Sequence, residues 1–237
     1  MAATTYVGTE LDVFAHARNW KRYLRSVTAP HLRGDVLEVG AGIGETSCAF
    51  RTHAQASWTA LEPDPRLAVR LKTRCASLPD PVRAVAGTLA SISEGPRFDC
   101  IIYIDVLEHI EQDADELTEA AKRLKPSGAI VVLSPAHQSL FSPFDAAIGH
   151  FRRYNKKGLR ALTPPGTSLV RLPYLDAVGL TLTVGNRLLL KSASPTLAQV
   201  SLWDRLCIPL SRRIDPLLGG RLGKSILAVW RRDPPAR

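Results

Sequence analysis

The chain has 237 residues, of which 45% are hydrophobic and 22% are charged, a composition that is ordinary for a globular protein with one sizeable core. Its net charge of +9 would suit a nucleic acid, a membrane surface or an acidic substrate, and a solvated basic surface would give the same excess. The basic residues are not interleaved with aromatic ones, as they are on surfaces that stack nucleic-acid bases, so we expect no nucleic-acid partner.

The first predicted element is a helix within FAHARNWKRYLRSVTAPHL, residues 14–32. Four bulky residues stand near helical spacing in this stretch, which indicates one apolar face. A helix packed on the edge of the following sheet would bury that face. The four residues are Phe14, Trp20, Tyr23 and Leu24.

The next stretch, DVLEVGAGIGETS, predicts a buried strand, a glycine turn and a helix that begins near Glu45. Three alternate glycines permit positive φ and keep side chains away from a ligand, and the helix N-terminus points its free N–H groups at the same place. A dinucleotide-binding loop needs G-x-G-x-x-G, but Glu45 occupies the third glycine position and would repel a pyrophosphate, which argues against NAD. The glycines are Gly40, Gly42 and Gly44.

Four more apolar runs follow, and helical stretches separate them. The second run, WTALEPDP, ends in Glu62, whose carboxylate can accept two hydrogen bonds from a ribose diol at the carboxyl end of a strand. Five alternations of strand and helix predict a parallel sheet that is covered on both faces. The runs are residues 58–65, 82–89, 98–105 and 128–135, and the clearest helices are Arg66–Ser77 and Asp113–Leu124.

Four of these motifs, VLEVGAGIG, LEPDP, FDCIIYIDVLEHI and LKPSGAIVVLSP, together resemble the ordered motifs of class I S-adenosylmethionine-dependent methyltransferases of the small-molecule type (type 11/12-like). The resemblance covers roughly residues 30–165. It implies a doubly wound, Rossmann-like α/β fold with a seven-stranded sheet whose last strand is antiparallel. It also implies S-adenosylmethionine as cofactor and S-adenosylhomocysteine as product.

In that family the glycine turn lies against the methionine part of the cofactor. The acid of the first strand helps to hold the cofactor's amino group, and the acid after the second strand takes the ribose hydroxyls. Thr88 stands where many relatives carry an acid that binds the adenine, so Leu89 is the expected packing partner. Relatives also use the leading helix as a lid. The cofactor residues that the resemblance implies are Glu38, Gly40, Ala41, Gly42, Gly44, Glu62, Pro63, Thr88, Leu89, Asp105, Trp20 and Tyr23.

Asp105, Glu108 and His109 cluster after the fourth strand, where the carboxyl ends of an open parallel sheet face the ligand crevice. They either cap a helix and shape the cofactor pocket, or His109 acts as the base that takes the proton of the methyl acceptor. Ubiquinone-biosynthesis O-methyltransferases show a similar acid-x-x-Glu-His arrangement that binds magnesium. Oxygen ligands suit Mg²⁺ better than a histidine does, so we keep this ion as an alternative and predict no metal.

The connection after the fifth strand, PAHQSLFSPFDAAIGHFRRYNKKGLRAL, is longer than the usual 2–6 residues, and we expect it to cover the acceptor side of the crevice. Alternatively, it is a lid whose arginines face solvent and whose acid pairs locally. Its GH-aromatic-RRY stretch resembles small methyltransferases of glycan and natural-product pathways. The catalytic candidates are His109, His150, Glu108 and Tyr154, and the acceptor-binding candidates are His137, Asp145 and Arg153, the arginine pairing with either Asp145 or a substrate anion.

Two last strands are predicted at 168–175 and 224–232, with a helical insertion between them. In the insertion Leu202, Leu206, Leu210 and Ile214 recur every four residues, beside a proline that should kink or split the helix. The insertion is a cap over the acceptor pocket, a homodimer face, or an interfacial contact with the membrane of a lipid-linked substrate. We favour the cap. The single predicted domain, 1–237, thus divides into a lid (1–33), a cofactor-binding core (34–165) and the insertion (176–223).

These observations predict an S-adenosylmethionine-dependent methyltransferase that acts on a small-molecule acceptor, with O-methylation in natural-product or glycan biosynthesis as the expected reaction. The alternatives are N- or C-methylation, a cyclase on the same fold, and an RNA-binding methyltransferase-like module. We expect a cytoplasmic enzyme because acids interrupt the N-terminal stretch, the four cysteines include no C-x-x-C pair, and no apolar run approaches the ~20 residues of a membrane span.

Overall fold

A computed structural model describes residues 6, 8, 10–189 and 196–234, without the side chains of residues 186–189. Its strands are β1 (Gly34–Val39), β2 (Gln55–Glu62), β3 (Arg83–Ala86), β4 (Phe98–Ile104), β5 (Leu124–Pro135), β6 (Thr167–Arg171), β7 (Tyr174–Leu175) and β8 (Ser225–Arg232). They form one sheet in the order β3-β2-β1-β4-β5-β8-β6, with β7 also paired to β8. Strands β1 to β5 run parallel, and β8 runs antiparallel to its neighbours. The predicted Rossmann-like α/β sheet is confirmed.

The helices of the described residues connect these strands and extend the two ends of the fold. They are α1 (Glu10–Phe14), α2 (Arg18–Thr28), α3 (Glu45–Phe50), α4 (Pro65–Cys75), α5 (Asp113–Lys122), α6 (Pro143–Ala147), α7 (Lys156–Ala161), α8 (Ala177–Leu189), α9 (Leu197–Leu202) and α10 (Ile208–Leu217). Short 3₁₀ helices lie at Leu89–Ser91, Leu107–His109 and Gln138–Leu140, and a π-helical turn, Trp203–Cys207, joins α9 to α10. Among the described residues, no helix combines the length and the apolar composition that a bilayer crossing requires.

The sequence predicted one strand at 168–175, and the structure divides it into two. β6 pairs with β8 as far as Arg171, and β7 begins at Tyr174, directly after Pro173. Proline has no N–H group to donate to a sheet, so the regular pairing is interrupted there, while the carbonyl of Pro173 still accepts the N–H of Leu227 on β8 at 3.0 Å. The sheet therefore has eight strands where seven were predicted, and its last strand is antiparallel as expected.

The central strands are apolar over nearly their whole length because both faces of the sheet are covered. Successive side chains point to opposite faces and enter two separate cores. This burial leaves the carboxyl edge of the sheet as the place for polar chemistry. The residues facing one core include Val36, Ile102 and Val131, and those facing the other include Leu37, Ile101 and Val132.

Helix α2 packs against the π-helical turn and α10. The carboxylate of Asp204 accepts hydrogen bonds from the backbone N–H groups of Asn19 (3.0 Å) and Trp20 (2.8 Å), and so caps the start of α2. Asp215 accepts a hydrogen bond from the hydroxyl of Tyr23 at 2.8 Å. Trp20 and Tyr23 are buried in this contact. This corrects the prediction that both side chains cover the cofactor, since their packing partners are the C-terminal helices.

The leucines of the predicted apolar stripe point away from this contact. Leu202, Leu206 and Leu210 are exposed, while Trp203, Cys207 and Ile208 of the same helices are buried against the domain. Pro209 lies in the first turn of α10, directly after the π-helical turn, where a missing N–H is tolerated. The segment is thus apolar on both faces, and one of them is unpartnered among the described residues.

Candidate active site

The glycine turn lies between β1 and α3. Gly40, Gly42 and Gly44 have φ of +69°, +56° and +84°, values that residues with a β-carbon rarely adopt. A β-carbon placed on Gly42 would meet, within 4 Å, only the side chain of Leu11 in α1, at 3.7 Å. Helix α1 therefore covers the turn, and the space beneath it is where a ligand would lie against the backbone.

Tyr6 lies across the carboxyl edge of the sheet. The N–H of Tyr6 donates to Asp64 after β2 at 2.8 Å, and the Tyr6 ring lies edge-on to His109 after β4, with centroids 5.8 Å apart. Tyr6 also donates its hydroxyl to Glu10. No sequence pattern points to Tyr6, because it precedes every periodic segment of the chain.

Glu38 lies beneath the glycine turn. Its Oε2 accepts hydrogen bonds from the Ser47 hydroxyl and from the Trp58 indole, the latter at 2.9 Å. Burial raises the pKa of Glu38 to about 7, and these two hydrogen bonds oppose the rise. A bound ammonium group beside this carboxylate would favour its charged form, which is the arrangement that the family resemblance implies.

Glu62 connects the ends of the first two strands. Its Oε2 accepts the N–H of Gly42 at 2.7 Å, and its Oε1 accepts the N–H of Asp64 at 2.9 Å. Each carboxylate oxygen has a second lone pair, so a diol can still bind. Burial raises the pKa of Glu62. The position of this side chain suits the predicted contact with ribose.

The remaining cofactor candidates lie farther along the same edge. Ala41 and Pro63 stand in the turns that follow β1 and β2. Thr88 caps the 3₁₀ helix Leu89–Ser91 and is exposed, whereas Leu89 is 1% exposed and packs in the core. This corrects the prediction for Leu89, because its side chain has no surface left for an adenine.

Asp105 directly follows β4 and has a φ of +54°, and its N–H donates to the carbonyl of Leu133 at 2.9 Å. The next residue, Val106, packs so closely on the glycine turn that a β-carbon on Gly40 would lie 2.7 Å from its side chain. Asp105 is exposed and lies within electrostatic range of His150. It therefore stands between the glycine turn and the opposite half of the cleft.

That opposite half is built around Glu108, His109 and His150. The 3₁₀ helix Leu107–His109 carries the first two, and the loop after α6 brings the third, so that the two imidazole rings meet at 4.5 Å in an edge-to-face arrangement. Burial and the neighbouring His150 lower the pKa of His109 to about 4, which keeps its ring neutral. Burial, reinforced by Asp105, raises the pKa of Glu108 well above its usual range.

Asp145 holds the loop in this position. It accepts hydrogen bonds from Nδ1 of His150 (3.1 Å), from Nε and Nη2 of Arg153 (both 2.9 Å), and from the N–H and hydroxyl of Ser142. Burial opposes ionisation, but these hydrogen bonds hold the pKa of Asp145 well below its usual range. Of the two partners predicted for Arg153, the structure shows Asp145. The prediction that Asp145 binds the acceptor is corrected, because this buried side chain positions its neighbours instead.

Tyr154 and His137 are also occupied by protein partners. The Tyr154 hydroxyl is buried and donates to Asp113 at 2.7 Å, in the core beneath α5, which corrects its predicted place in the acceptor pocket. His137 Nε2 lies 2.9 Å from the carbonyl of Gly223, and its ring stacks on Tyr174 at 4.8 Å. His137 therefore fastens the loop to the start of β8.

Lys224 is a site residue that the sequence analysis missed. Its ammonium group lies 3.6 Å from a carboxylate oxygen of Asp176 and 3.6 Å from the centre of the Trp203 ring. Burial lowers the pKa of Lys224, against the opposing attraction of Asp176 and Asp105. Its signal in the sequence is weak, since it is one of many cations in a basic tail.

Comparison with known proteins agrees with this geometry. Residues 37–130 match the family model described as a methyltransferase domain. No curated protein sequence matches significantly. Many solved structures share the fold. Among them, an S-adenosylmethionine-dependent methyltransferase from Mesorhizobium loti is 16% identical, with 91% of this chain and 98% of that chain covered at a TM-score of 0.60.

A second similar structure is the N-methyltransferase NodS from Bradyrhizobium japonicum WM9, in complex with S-adenosylhomocysteine. It is 16% identical, with 92% of this chain and 86% of that one covered at a TM-score of 0.57. At these identities the likeness shows the fold. We conclude that residues 37–130 carry a methyltransferase domain on the fold of S-adenosylmethionine-dependent methyltransferases, which supports an enzyme with that cofactor.

Proposed function

We propose that the enzyme methylates a hydroxyl group of a small molecule, and that this hydroxyl lies against the His109–His150 pair. The observation that carries the proposal is the meeting of these two imidazole rings, 4.5 Å apart, at the carboxyl edge of the sheet next to the glycine turn. A hydroxyl is a poor nucleophile until its proton has an acceptor, and a neutral imidazole supplies one.

The cofactor half of the cleft supports this placement. Val106 packs on Gly40 and precedes the 3₁₀ helix that carries His109, so the glycine turn and the imidazole pair belong to one continuous surface. Tyr6 spans both halves, through its contacts with Asp64 and His109. A ligand between the halves would be enclosed on the side of Tyr6.

Bound S-adenosylmethionine supplies an electrophilic methyl group on a sulfonium. The task of the chain is to hold the acceptor oxygen about 3–3.5 Å from that carbon, in line with the bond that breaks. An imidazole of the pair takes the hydroxyl proton as the new oxygen–carbon bond forms. Asp145 keeps Nδ1 of His150 occupied, which directs the Nε2 of that ring towards Glu108 and the cleft.

The positive charge of Lys224 favours a methyl acceptor that is neutral or anionic. A cationic amine would meet this ammonium group between Asp176 and Trp203, whereas a polyol or a phenol would not be repelled. Hydroxyl-rich molecules of glycan and natural-product pathways are therefore the acceptor class that we propose.

The proposal is tested by identifying the product. The enzyme is incubated with isotope-labelled S-adenosylmethionine and matched pairs of acceptors that differ in one hydroxyl or amine, and the transferred methyl is located by NMR. We expect label on oxygen. NodS is an N-methyltransferase on the same fold, so N-methylation is the second candidate. Label found on nitrogen alone would overturn the proposal.

Replacing either imidazole should lower turnover. We expect His109→Gln and His150→Gln to reduce kcat by about 10²–10⁴-fold and to leave the affinity for S-adenosylhomocysteine nearly unchanged, because the glycine turn is intact. Turnover and calorimetric titration measure the two effects. His53→Gln is the matched control, since His53 is exposed and remote from the cleft. Wild-type turnover in both site variants would exclude this pair from the reaction.

Cofactor affinity should depend on the ionisation of Glu38. The pKa of this residue is raised to about 7, and an ammonium group prefers the carboxylate, so affinity for S-adenosylhomocysteine should rise about tenfold between about pH 6 and pH 8. The stability of the ligand-free protein should have the opposite pH dependence. Its Glu38 holds a proton that the unfolded chain releases near pH 4, so stability falls as the pH rises towards 7. Both slopes should be absent in Glu38→Gln, and an unchanged slope of affinity in that variant would contradict the assignment.

A further inference from the structure

We infer that Glu108, His109 and His150 form a binding site for a divalent transition-metal ion of the kind that imidazole prefers, such as Zn²⁺. One potential ligand atom from each residue lies within 4.8 Å of the other two. This group differs from the acid-x-x-Glu-His arrangement in the sequence, because the structure supplies His150 in place of Asp105.

The strongest observation is the state of Glu108. Its side chain is completely buried, and neither carboxylate oxygen has a described partner at hydrogen-bond distance and angle, although the Ser134 hydroxyl and the backbone N–H of Glu108 lie close enough to oppose the rise of its pKa. Unpaired buried carboxylates are costly, and a native structure keeps one where an ion or a reaction requires it. The nearest imidazole nitrogen, Nε2 of His150, lies 3.9 Å from Oε1, which is too far for a hydrogen bond.

The surroundings of His150 match those of a metal ligand. Its Nδ1 is bonded to Asp145, which fixes the ring and leaves Nε2 free, as in carboxylate–histidine–metal arrangements. Two backbone hydrogen bonds hold the loop against the 3₁₀ helix, one from the N–H of Phe151 to the carbonyl of Glu108 (2.8 Å) and one from the N–H of His150 to that of Asp145 (2.9 Å). The ligand atoms are thus presented by a braced backbone.

The donor set decides the metal class. Two imidazoles and one carboxylate suit Zn²⁺, Fe²⁺ or Co²⁺, whereas Mg²⁺ requires oxygen ligands in octahedral geometry. Tetrahedral bonds of about 2.0–2.2 Å place ligand atoms about 3.3–3.5 Å apart, so the three side chains must move inward by about 1 Å on binding. Three protein ligands leave a coordination position for a further oxygen, as in catalytic zinc sites.

Binding is tested without cofactor or acceptor. The metal-free, full-length protein is titrated with Zn²⁺ by calorimetry, and with Co²⁺ by visible absorption, which reports low coordination number. We expect one ion per chain, and we expect Glu108→Gln and His150→Ala to weaken binding at least about 100-fold. Asp145→Asn should weaken it about 10–100-fold while keeping all three ligands. Circular dichroism confirms that each variant is folded.

Two control variants separate this site from other places where Zn²⁺ could bind. His53→Ala removes an exposed imidazole that is remote from the cleft, and Cys48→Ser breaks a thiol pair whose sulfurs lie 3.9 Å apart where α3 meets α4. Both should bind Zn²⁺ like the wild-type protein. Loss of binding in Cys48→Ser, binding of Mg²⁺ but not Zn²⁺, or no stoichiometric binding would overturn the inference.

The role of the ion rests on the proposed function. An imidazole bound to the ion cannot also accept a proton, so in the metal-bound form the ion would replace the imidazole base: it would polarise the acceptor hydroxyl and lower the pKa of that group, and the proton would pass to water. The two proposals can fail separately. If the protein binds the metal but the product is labelled on nitrogen, the metal site is supported and O-methylation is overturned. If the protein methylates oxygen but binds no Zn²⁺, the reaction is supported and the metal site is overturned. Activation of O-methylation by one equivalent of Zn²⁺ would support both.

A second inference concerns the outward face of α9 and α10. Four leucines there are 48–86% exposed, and Arg205, Arg212 and Arg213 are exposed beside them. The acids of the same helices, Asp204 and Asp215, are buried, so the charge that this face presents is positive. The leucines are Leu202, Leu206, Leu210 and Leu217.

We propose that this leucine–arginine face binds the surface of an anionic lipid bilayer. A basic groove of about 450 Å³ lies between α2 and α10, is lined by Arg22, Arg212 and Arg213, and would accept acidic headgroups. Exposed apolar side chains bordered by arginines are the features of helices that lie in the membrane interface. Each cation near such a surface adds to the electrostatic attraction.

Vesicle sedimentation tests this face. Phosphatidylglycerol vesicles should recruit the protein and phosphatidylcholine vesicles should not, and salt should release it. The double variants Leu206→Ser with Leu210→Ser, and Arg212→Gln with Arg213→Gln, should each lower the bound fraction at least about fivefold. Lys72→Gln, an exposed cation on α4, is the control and should bind as the wild type does. No recruitment, or a dimer that the leucine variant converts to monomer in ultracentrifugation, would overturn the proposal.

Discussion

Replacing Gly42 with valine should lower the affinity for S-adenosylhomocysteine at least about 100-fold, which corresponds to about 2.7 kcal/mol. The β-carbon of the new residue would point into the gap between the glycine turn and Leu11, where we expect the methionine part of the cofactor. Gly40 and Gly44 are less informative positions, because a β-carbon there would collide with Val106 or Leu71 and disturb the fold itself.

The control for this variant is Gly166→Val. Gly166 has a φ of +69°, close to the +56° of Gly42, and a β-carbon on it would meet nothing within 4 Å. Both variants should therefore lose about 1–2 kcal/mol of stability from the left-handed backbone alone. Thermal melting measures this shared loss, and calorimetry measures the cofactor. Equal affinities in the two variants would show that the turn does not contact the cofactor.

The positions of the residues that we assign to the cofactor half follow largely from the sequence, because each of these parts is local. An apolar run, the glycine turn and the acid at a strand end are adjacent in the sequence, so the periodicity that places β1 and β2 also places Glu38 and Glu62. The prediction that Leu89 packs against the adenine was wrong, although the neighbouring Thr88 is exposed. The 3₁₀ helix that begins after Thr88 directs the side chain of Leu89 into the core. This orientation depends on tertiary packing, which the sequence pattern does not reveal.

The acceptor half was only partly predictable because its residues meet through the fold. His109 and His150 belong to different connections, and no spacing rule joins them. Helix α2 has a clear amphipathic pattern, yet its partners Asp204 and Asp215 lie about 190 residues further along the chain. A pattern shows that a face is apolar, and it does not show which element covers that face.

Asp145→Ala should be the most destabilising substitution of the acceptor half, with a loss of about 3–5 kcal/mol in the free energy of unfolding. The aspartate is 1% exposed and accepts both hydrogen bonds of the Arg153 fork, so its removal leaves a guanidinium, 13% exposed, without its counter-charge. His150 loses its Nδ1 partner at the same time.

The matched control is Asp35→Ala, which also breaks a carboxylate–cation contact, with Lys125 at 2.7 Å, but at a position where both side chains are 35% exposed. Such surface pairs contribute about 0–1 kcal/mol, so denaturant titration should separate the two variants clearly. Asp145→Asn should lie between them, because an amide keeps the shape and one acceptor oxygen while losing the charge. If Asp145→Ala were no less stable than Asp35→Ala, the loop would be held by other contacts, and the orientation of His150 could no longer be attributed to Asp145.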